Sequence, residues 1–319
     1  MPRRTRRYDD LAFRAITGGF ALAIVLIVAG IGAELFRQSL LSIQKFGLSF
    51  WTTRIWDPVA GEFGALPFIW GTLYSSVLAL AISTPIALGI AIFISELSPA
   101  WLRQPLVFLT ELLAAIPSIV YGLWGIFVLV PLVRSFELWV PASLRQLPLF
   151  SGPPLGVGML SAALILSIMV IPFTSAVARE VLRSVPMAQR EGAYALGATR
   201  WEATRAALFF ARTGIVGAIM LGLGRALGET MAVTMVIGNN PQISASLFAP
   251  QYTMAAVIAN EFTEAADELY LHALVEIGLV LFVITLVVNG LSRLLIWSMA
   301  PHRRRGRAPA KSAVAGVAA

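Results

Sequence analysis

Two opposite charges stand four residues apart inside an apolar run, in Gly222-Leu223-Gly224-Arg225-Ala226-Leu227-Gly228-Glu229-Thr230. Between Thr213 and Ile237 no other charge occurs, and Arg225 is the thirteenth of those 25 residues. A charge near the middle of a bilayer-spanning length costs roughly 2.5–3.5 kcal/mol on insertion scales, so it needs a reason. On a continuous helix the spacing puts both groups on one face, about 6 Å apart along the axis. Arg before Glu is the less favourable order for an intrahelical pair. Two readings stand: a buried pair that fixes packing, and a polar pathway lined by both. In the second, the guanidinium offers bidentate donors to a tetrahedral oxyanion. Conduction requires release as well as entry, and a carboxylate one turn away weakens the positive field. That carboxylate can also accept a hydrogen bond from a protonated oxyanion such as hydrogen phosphate, which sulfate at neutral pH cannot donate. Gly224 and Gly228 form a small-xxx-small pair, expected to let helices approach closely. Thr230, and Ser118 with Tyr121 after Pro117, are further polar candidates for such a pathway. Glu111, Glu276 and Asn289 read as packing or interface residues.

A membrane bundle must hold these residues. Of 319 residues, 58% are hydrophobic and 13% charged, with mean hydropathy +0.80. Soluble domains carry roughly 25% charged residues, so a cytosolic enzyme or DNA-binding domain is disfavoured. Helices of about 20 residues cross a bilayer. The apolar runs place six at about 15–36, 68–94, 110–133, 155–178, 213–237 and 269–297. The expected fold is all-α: one polytopic transmembrane domain over 15–300, between a basic N-terminus, 1–14, and a basic tail, 301–319. With the N-terminus in the cytoplasm, 18 Lys and Arg fall inside and only Arg37, Lys45, Arg54, Arg134 and Arg145 outside. That positive-inside bias sets both termini cytoplasmic. The basic tails read as topology determinants and contacts for anionic membrane lipids, not as nucleic-acid arms. The basic start and the small residues near Gly30 also fit a signal peptide; retention of the span is the expectation. Phe50 to Pro58 reads as an external segment anchored at the interface by tryptophans. Glu261, Glu264, Asp267 and Glu268 read as an external solvated or partner-docking face.

Several chemistries are missing. The chain has no cysteine, two histidines (His272 and His302), no Gly-Lys dipeptide, and no H-E-x-x-H or G-x-S-x-G. A phosphate-cradling nucleotide loop and a nucleophile–histidine pair are therefore absent. No cofactor is expected on this chain, and any ATP is used by a partner subunit. An ion-coupled transporter with the buried charges as a proton relay remains an alternative reading.

The segment between the fourth and fifth spans, about 184–206, has its own pattern. Ser184-Val185-Pro186 offers a helix start, and Gly197 can take the positive φ of a helix stop. Thr199-Arg200-Trp201-Glu202 fits a capping box. Helix, glycine turn, helix is also the outline of a DNA-reading motif. Spans begin within about ten residues on both sides, so the elbow is better placed to dock a partner protein.

In that elbow Glu191-Gly192-Ala193, three residues, then Gly197 resembles the EAA loop of ABC-importer permeases. Gly192 stands where alanine is usual, and Ala207 and Phe210 where isoleucine and proline often end the motif. Phe63 to Ile69, Ala114 to Gly122, Gly222 to Val233 and Ile258 to Phe262 are similar to the phosphate-import permease family, PstC type. The resemblance covers most of 50–295. It implies a bacterial inner-membrane subunit that pairs with a second, related permease. It also implies two ATP-binding subunits inside and a phosphate-binding protein outside. Glu191, Gly192, Ala193, Gly197 and Trp201 would form the coupling helices seated on an ATPase, and Arg225 with Glu229 the charged pair of the translocation pathway. Sulfate or molybdate permeases of the same architecture are the nearest alternative.

Overall fold

The computed structural model describes residues 5–299; the tail expected at 301–319, with His302, lies outside them, as do Arg3 and Arg4. The chain opens with α1 (Thr5–Gln38) and α2 (Leu40–Phe46), then a 3-10 turn at Gly47–Trp51. Next come α3 (Leu66–Ile92), continued by a π turn to Leu97, and α4 (Ala100–Ala115). They are followed by α5 (Ser118–Trp124), a π turn over Gly125–Leu129, α6 (Val130–Trp139) and the short α7 (Ala142–Arg145). The second half holds α8 (Met159–Arg183), α9 (Met187–Ala195), α10 (Arg200–Leu227), α11 (Met231–Val236), α12 (Met254–Glu261) and α13 (Glu268–Met299). Six stretches are long and apolar enough to cross a membrane: Asp10–Gln38, Leu66–Leu97, Ser118–Trp139, Met159–Arg183, Arg200–Leu227 and Glu268–Met299. In hydrocarbon a helix is the way a single segment pairs all its own peptide groups, which is why apolar runs of this length become helices.

The fourth span, α8, is the centre of the bundle. Of its most apolar window 61% is buried, against 28% for four of the other spans and none for the first. Small residues bring its neighbours close. On α3, Ala79, Ser83, Ala87 and Ala91 recur every fourth residue and are all fully buried. They face α8, whose Ser167 hydroxyl donates to the Ala79 carbonyl at 3.1 Å. On α10 the corresponding stripe is Gly214, Ala218 and Gly222. A Cβ at Gly222 would sit 2.5 Å from Thr174 Oγ1, and one at Gly214 2.5 Å from Val181 Cγ1. The expected close pair of Gly224 and Gly228 is not the contact: nothing comes nearer than 3.8 Å to a Cβ at either. The packing stripe is displaced because α10 turns its 214/218/222 face to α8. α1 is peripheral and touches α13, where Phe282 lies against Gly32.

Two spans differ from the sequence expectation. The run expected as one helix at 110–133 is broken at Ile116-Pro117. Proline supplies no N–H and disfavours a helical residue before it; Ile116 is extended at φ −66°, ψ 129°. The crossing helix instead runs from Ser118 to Trp139 and carries Arg134 and Glu137 with it. Glu137 is tolerated because it is buried with a partner, accepting from the Gly156 N–H at 2.8 Å. The run expected at 213–237 starts earlier, at Arg200, and ends at Leu227, with Gly228 to Thr230 outside helix and α11 completing it. Smaller shifts move the fourth span from 155–178 to Met159–Arg183.

At the end of the bundle remote from α9, the Phe50–Pro58 segment is tied to the protein by its aromatic residues. Phe50 is fully buried. The Trp56 ring packs edge-on to Phe63 and Phe68 with centroids 4.9 Å away in each case. Its Nε1–H donates to Glu261 at 2.8 Å, and Tyr270 donates to the same carboxylate oxygen at 2.6 Å. Glu261 is thereby taken out of the acidic face, while Glu264, Asp267 and Glu268 stay exposed.

Candidate functional site

The first helix break lies against the middle of α8, and the helices that restart after the two breaks pack on each other. Ile116 and Tyr121 line a groove with Ile168, and Gly222 rests on Val170 and Thr174. α5 packs directly on α11: a Cβ at Gly122 would lie 2.5 Å from Met235 Sδ and 3.2 Å from Ala232 Cα. Non-helical backbone at membrane depth persists only where protein or a water-lined cavity satisfies it. Each break has a visible device. In the first, the Leu113 carbonyl would ordinarily bond the N–H four residues on, which Pro117 lacks. The Tyr121 hydroxyl donates to it instead, at 2.9 Å. Tyr121 is thus a buried brace of the break, while Ser118, half-buried at its edge, makes no capping bond.

The second break carries the charges. Because α10 ends at Leu227, Arg225 sits in the last helical turn and Glu229 beyond it. The expectation that both share one continuous helical face is therefore corrected. Glycine at 228 and the polar pair 229–230 end the helix where apolar residues would have continued it. A cation in the last turn meets the negative end of the helix dipole, a favourable placement. Among the described residues neither Arg225 nor Glu229 joins an ion pair. Arg225 is exposed on the isolated chain, its guanidinium carbon 6.0 Å from the Phe173 ring centre. Glu229 accepts only a long bond, 3.4 Å, from the Ala232 N–H, and the Thr230 hydroxyl donates at 3.4 Å to the Gly228 carbonyl. A guanidinium, a carboxylate and the Thr230 hydroxyl thus stand within six consecutive residues where α10 ends.

The elbow at the other functional segment forms as its residues dictate. Gly197 has φ +84°. Its N–H donates to Tyr194 and that of Ala198 to Ala193, at 2.9 and 3.1 Å, satisfying the last carbonyls of α9. The Thr199 side chain accepts from the Glu202 N–H while Glu202 accepts from the Thr199 N–H, opening α10. Glu191, Gly192, Gly197 and Trp201 are exposed and Ala193 is half-buried. Leu196 at 91% and Trp201 at 65% exposure are large apolar groups left unburied. Sequence reasoning missed what holds the elbow to the bundle. Arg190 reaches Glu96 at 2.7 Å and the Val185 and Leu182 carbonyls at 2.9 Å each. The 94 residues between Arg190 and Glu96 leave no local signal of that pairing.

Six helices long and apolar enough to cross a membrane, with an exposed helical elbow between the fourth and fifth, define a polytopic membrane protein. Residues 85–300 match the family described as binding-protein-dependent transport system inner membrane component, and the chain belongs to that family. It is accordingly a multi-pass inner-membrane transport subunit of the ABC type. The phosphate transport system permease protein PstC of Pasteurella multocida is 49% identical over 93% of this chain and 94% of its own length. The protein of the same name from Mesorhizobium japonicum is 46% identical over 90% of each chain. A probable phosphate transport system permease protein PstC of Methanocaldococcus jannaschii is 38% identical over 89% of this chain and 92% of its own. A solved structure of the MetNI methionine ABC transporter, inward facing, superimposes with TM-score 0.55 over 73% of this chain and 94% of that one. At 16% identity it speaks for the fold alone.

Proposed function

We propose that this chain is the transmembrane permease subunit of an ATP-driven importer that carries inorganic phosphate across the cytoplasmic membrane. Arg225, unpaired at a mid-depth helix break, is the observation that carries the reading. A guanidinium there can hold a phosphate oxyanion through a bidentate fork. Glu229 limits how tightly it does so and accepts a hydrogen bond from the P–OH of hydrogen phosphate. Thr230 and Ser118 supply further hydroxyls, and Tyr121 keeps the first break open. The relatives named for phosphate transport support this substrate over other oxyanions.

In this reading the chain works beside a second, homologous permease and below an extracytoplasmic phosphate-binding protein. Two ATP-binding subunits hydrolyse ATP, and no cofactor sits on this chain. Both termini are cytoplasmic, which puts α9 on the ATPase side. Glu191, Gly192, Ala193, Gly197 and Trp201 then form the docking elbow; the exposed Leu196 and Trp201 side chains are what a partner would cover. Coupling is a difference in partner affinity between two conformations of the bundle. Uptake of labelled phosphate into vesicles, with and without excess sulfate, tests the assignment in the wild type and in Glu229→Gln. Phosphate uptake that sulfate does not inhibit is expected, reduced in the variant by about tenfold or more. Equal rates and equal sulfate rejection in Glu229→Gln would refute the role of the carboxylate.

A further inference from the structure

At the α9 end of the bundle a cavity of about 450 Å³ opens between the end of α3, α4 and the last turns of α8. Its walls carry Arg103, Arg179 and Arg183 with Gln104, Glu111 and Glu180. Arg179 is the unusual member. It is only 7% exposed, yet its Nε and Nη1 have no hydrogen-bond partner. Its Nη2 alone is engaged, at 3.2 Å from Glu180 and 3.5 Å from Glu111. Buried guanidinium N–H groups left without acceptors are costly, so a rotation of the Arg179 guanidinium that turns its sealed Nε and Nη1 towards a cavity ligand with several acceptor oxygens is favoured. Both carboxylates are mostly exposed side chains, 60% for Glu111 and 59% for Glu180, and can swing towards water. Three arginines against two glutamates leave the cavity wall positive by one charge.

We propose that this cavity is a second oxyanion site, in which Arg179, helped by Arg183 and Arg103, binds a phosphate-type group. The group is either free inorganic phosphate or the phosphate of an anionic lipid headgroup. Glu111 yields its place on the guanidinium when the ligand enters, because its 3.5 Å contact is long for a charge-assisted bond. This site is built from the end of α3, α4 and α8 and does not depend on the transport assignment.

The test uses the full chain, with the subunits that accompany it, in nanodiscs, on an Arg225→Gln background that silences the pathway site. In discs of neutral phosphatidylcholine, saturable binding of radiolabelled inorganic phosphate is measured with and without Arg179→Gln. In a second arm, phosphatidylglycerol is included and its retention is read by native mass spectrometry. Phosphate binding weakened about tenfold or more by Arg179→Gln supports the site with the free ion as ligand. Phosphatidylglycerol retained by the parent and lost in the variant supports it with the lipid headgroup. If neither ligand responds to Arg179→Gln, the cavity holds only water and the proposal is overturned. Should Arg179→Gln not fold, Arg183→Gln decides, since that side chain is 65% exposed. It should weaken the bound ligand by about twofold to fivefold, and unchanged binding would equally overturn the site.

Discussion

Replacing Gly197 by alanine isolates the one backbone conformation on which the elbow turns. A Cβ at Gly197 would meet nothing within 4 Å, so neither clash nor new packing enters. What changes is the cost of holding an L-residue at φ +84°, about 1–2 kcal/mol. The two bonds that close α9, from Gly197 to Tyr194 and from Ala198 to Ala193, require that conformation. The elbow should therefore open more often by about fivefold to thirtyfold. Gly192 supplies the control, since a Cβ there also meets nothing, but its backbone is helical within α9. Alanine at 192 should stabilise the helix by about 0.5–1 kcal/mol. Trypsin reads the difference at Arg200, which is exposed beside the turn. When opening is fast relative to cleavage, the rate follows the population of the open form. Gly197→Ala should be cut about fivefold to thirtyfold faster than wild type, and Gly192→Ala no faster. Reconstituted with its ATPase subunits, Gly197→Ala should also import less substrate per ATP. Equal cleavage of wild type and Gly197→Ala, or faster cleavage of Gly192→Ala, would refute the argument.

Three further substitutions probe the bundle. Gly222→Leu should lower the melting temperature in detergent, an overpacking cost of about 1–3 kcal/mol, because its Cβ would press on Thr174 and Val170. Gly224→Ala, with its nearest neighbour at 3.8 Å, should melt like the wild type. Arg190→Gln removes the bond to Glu96 and the two carbonyl bonds that pin α9. A loss of about 1.5–3 kcal/mol is expected, seen as faster hydrogen exchange in 187–195 with the rest of the bundle unchanged.

The number and approximate place of the spans were legible because hydrocarbon permits little besides helix over an apolar run. The elbow was legible for a local reason: capping boxes and positive-φ stops are decided by residues a few positions apart, as at Thr199 and Gly197. The breaks were not. Pro85 and Pro172 lie inside their helices, whereas Pro117 ends one. The difference at Pro117 is a tertiary one, since Tyr121 caps the freed carbonyl there and α11 packs on the restarted helix. The end of α10 at Leu227 likewise hid within a run of good apolar helix formers. The 214/218/222 stripe was visible as a spacing of four, but the Gly224/Gly228 pair, two residues on from Gly222, carried the same signal. Contacts such as Trp56 to Glu261 and Arg190 to Glu96 join residues 205 and 94 positions apart, beyond the reach of pattern.

The central claim is that the break from Gly228 to Thr230 lines a pathway open to water and to phosphate. The chain has no cysteine, so Thr230→Cys gives it a single thiol, and the wild-type complex supplies the background from other subunits. Its modification by a small charged thiol reagent in the assembled, membrane-embedded complex is the most direct measurement. The account predicts that the thiol reacts, and that phosphate slows the reaction while sulfate does not. A thiol that stays unreactive throughout ATP turnover, or one that reacts at a rate indifferent to phosphate, would contradict it.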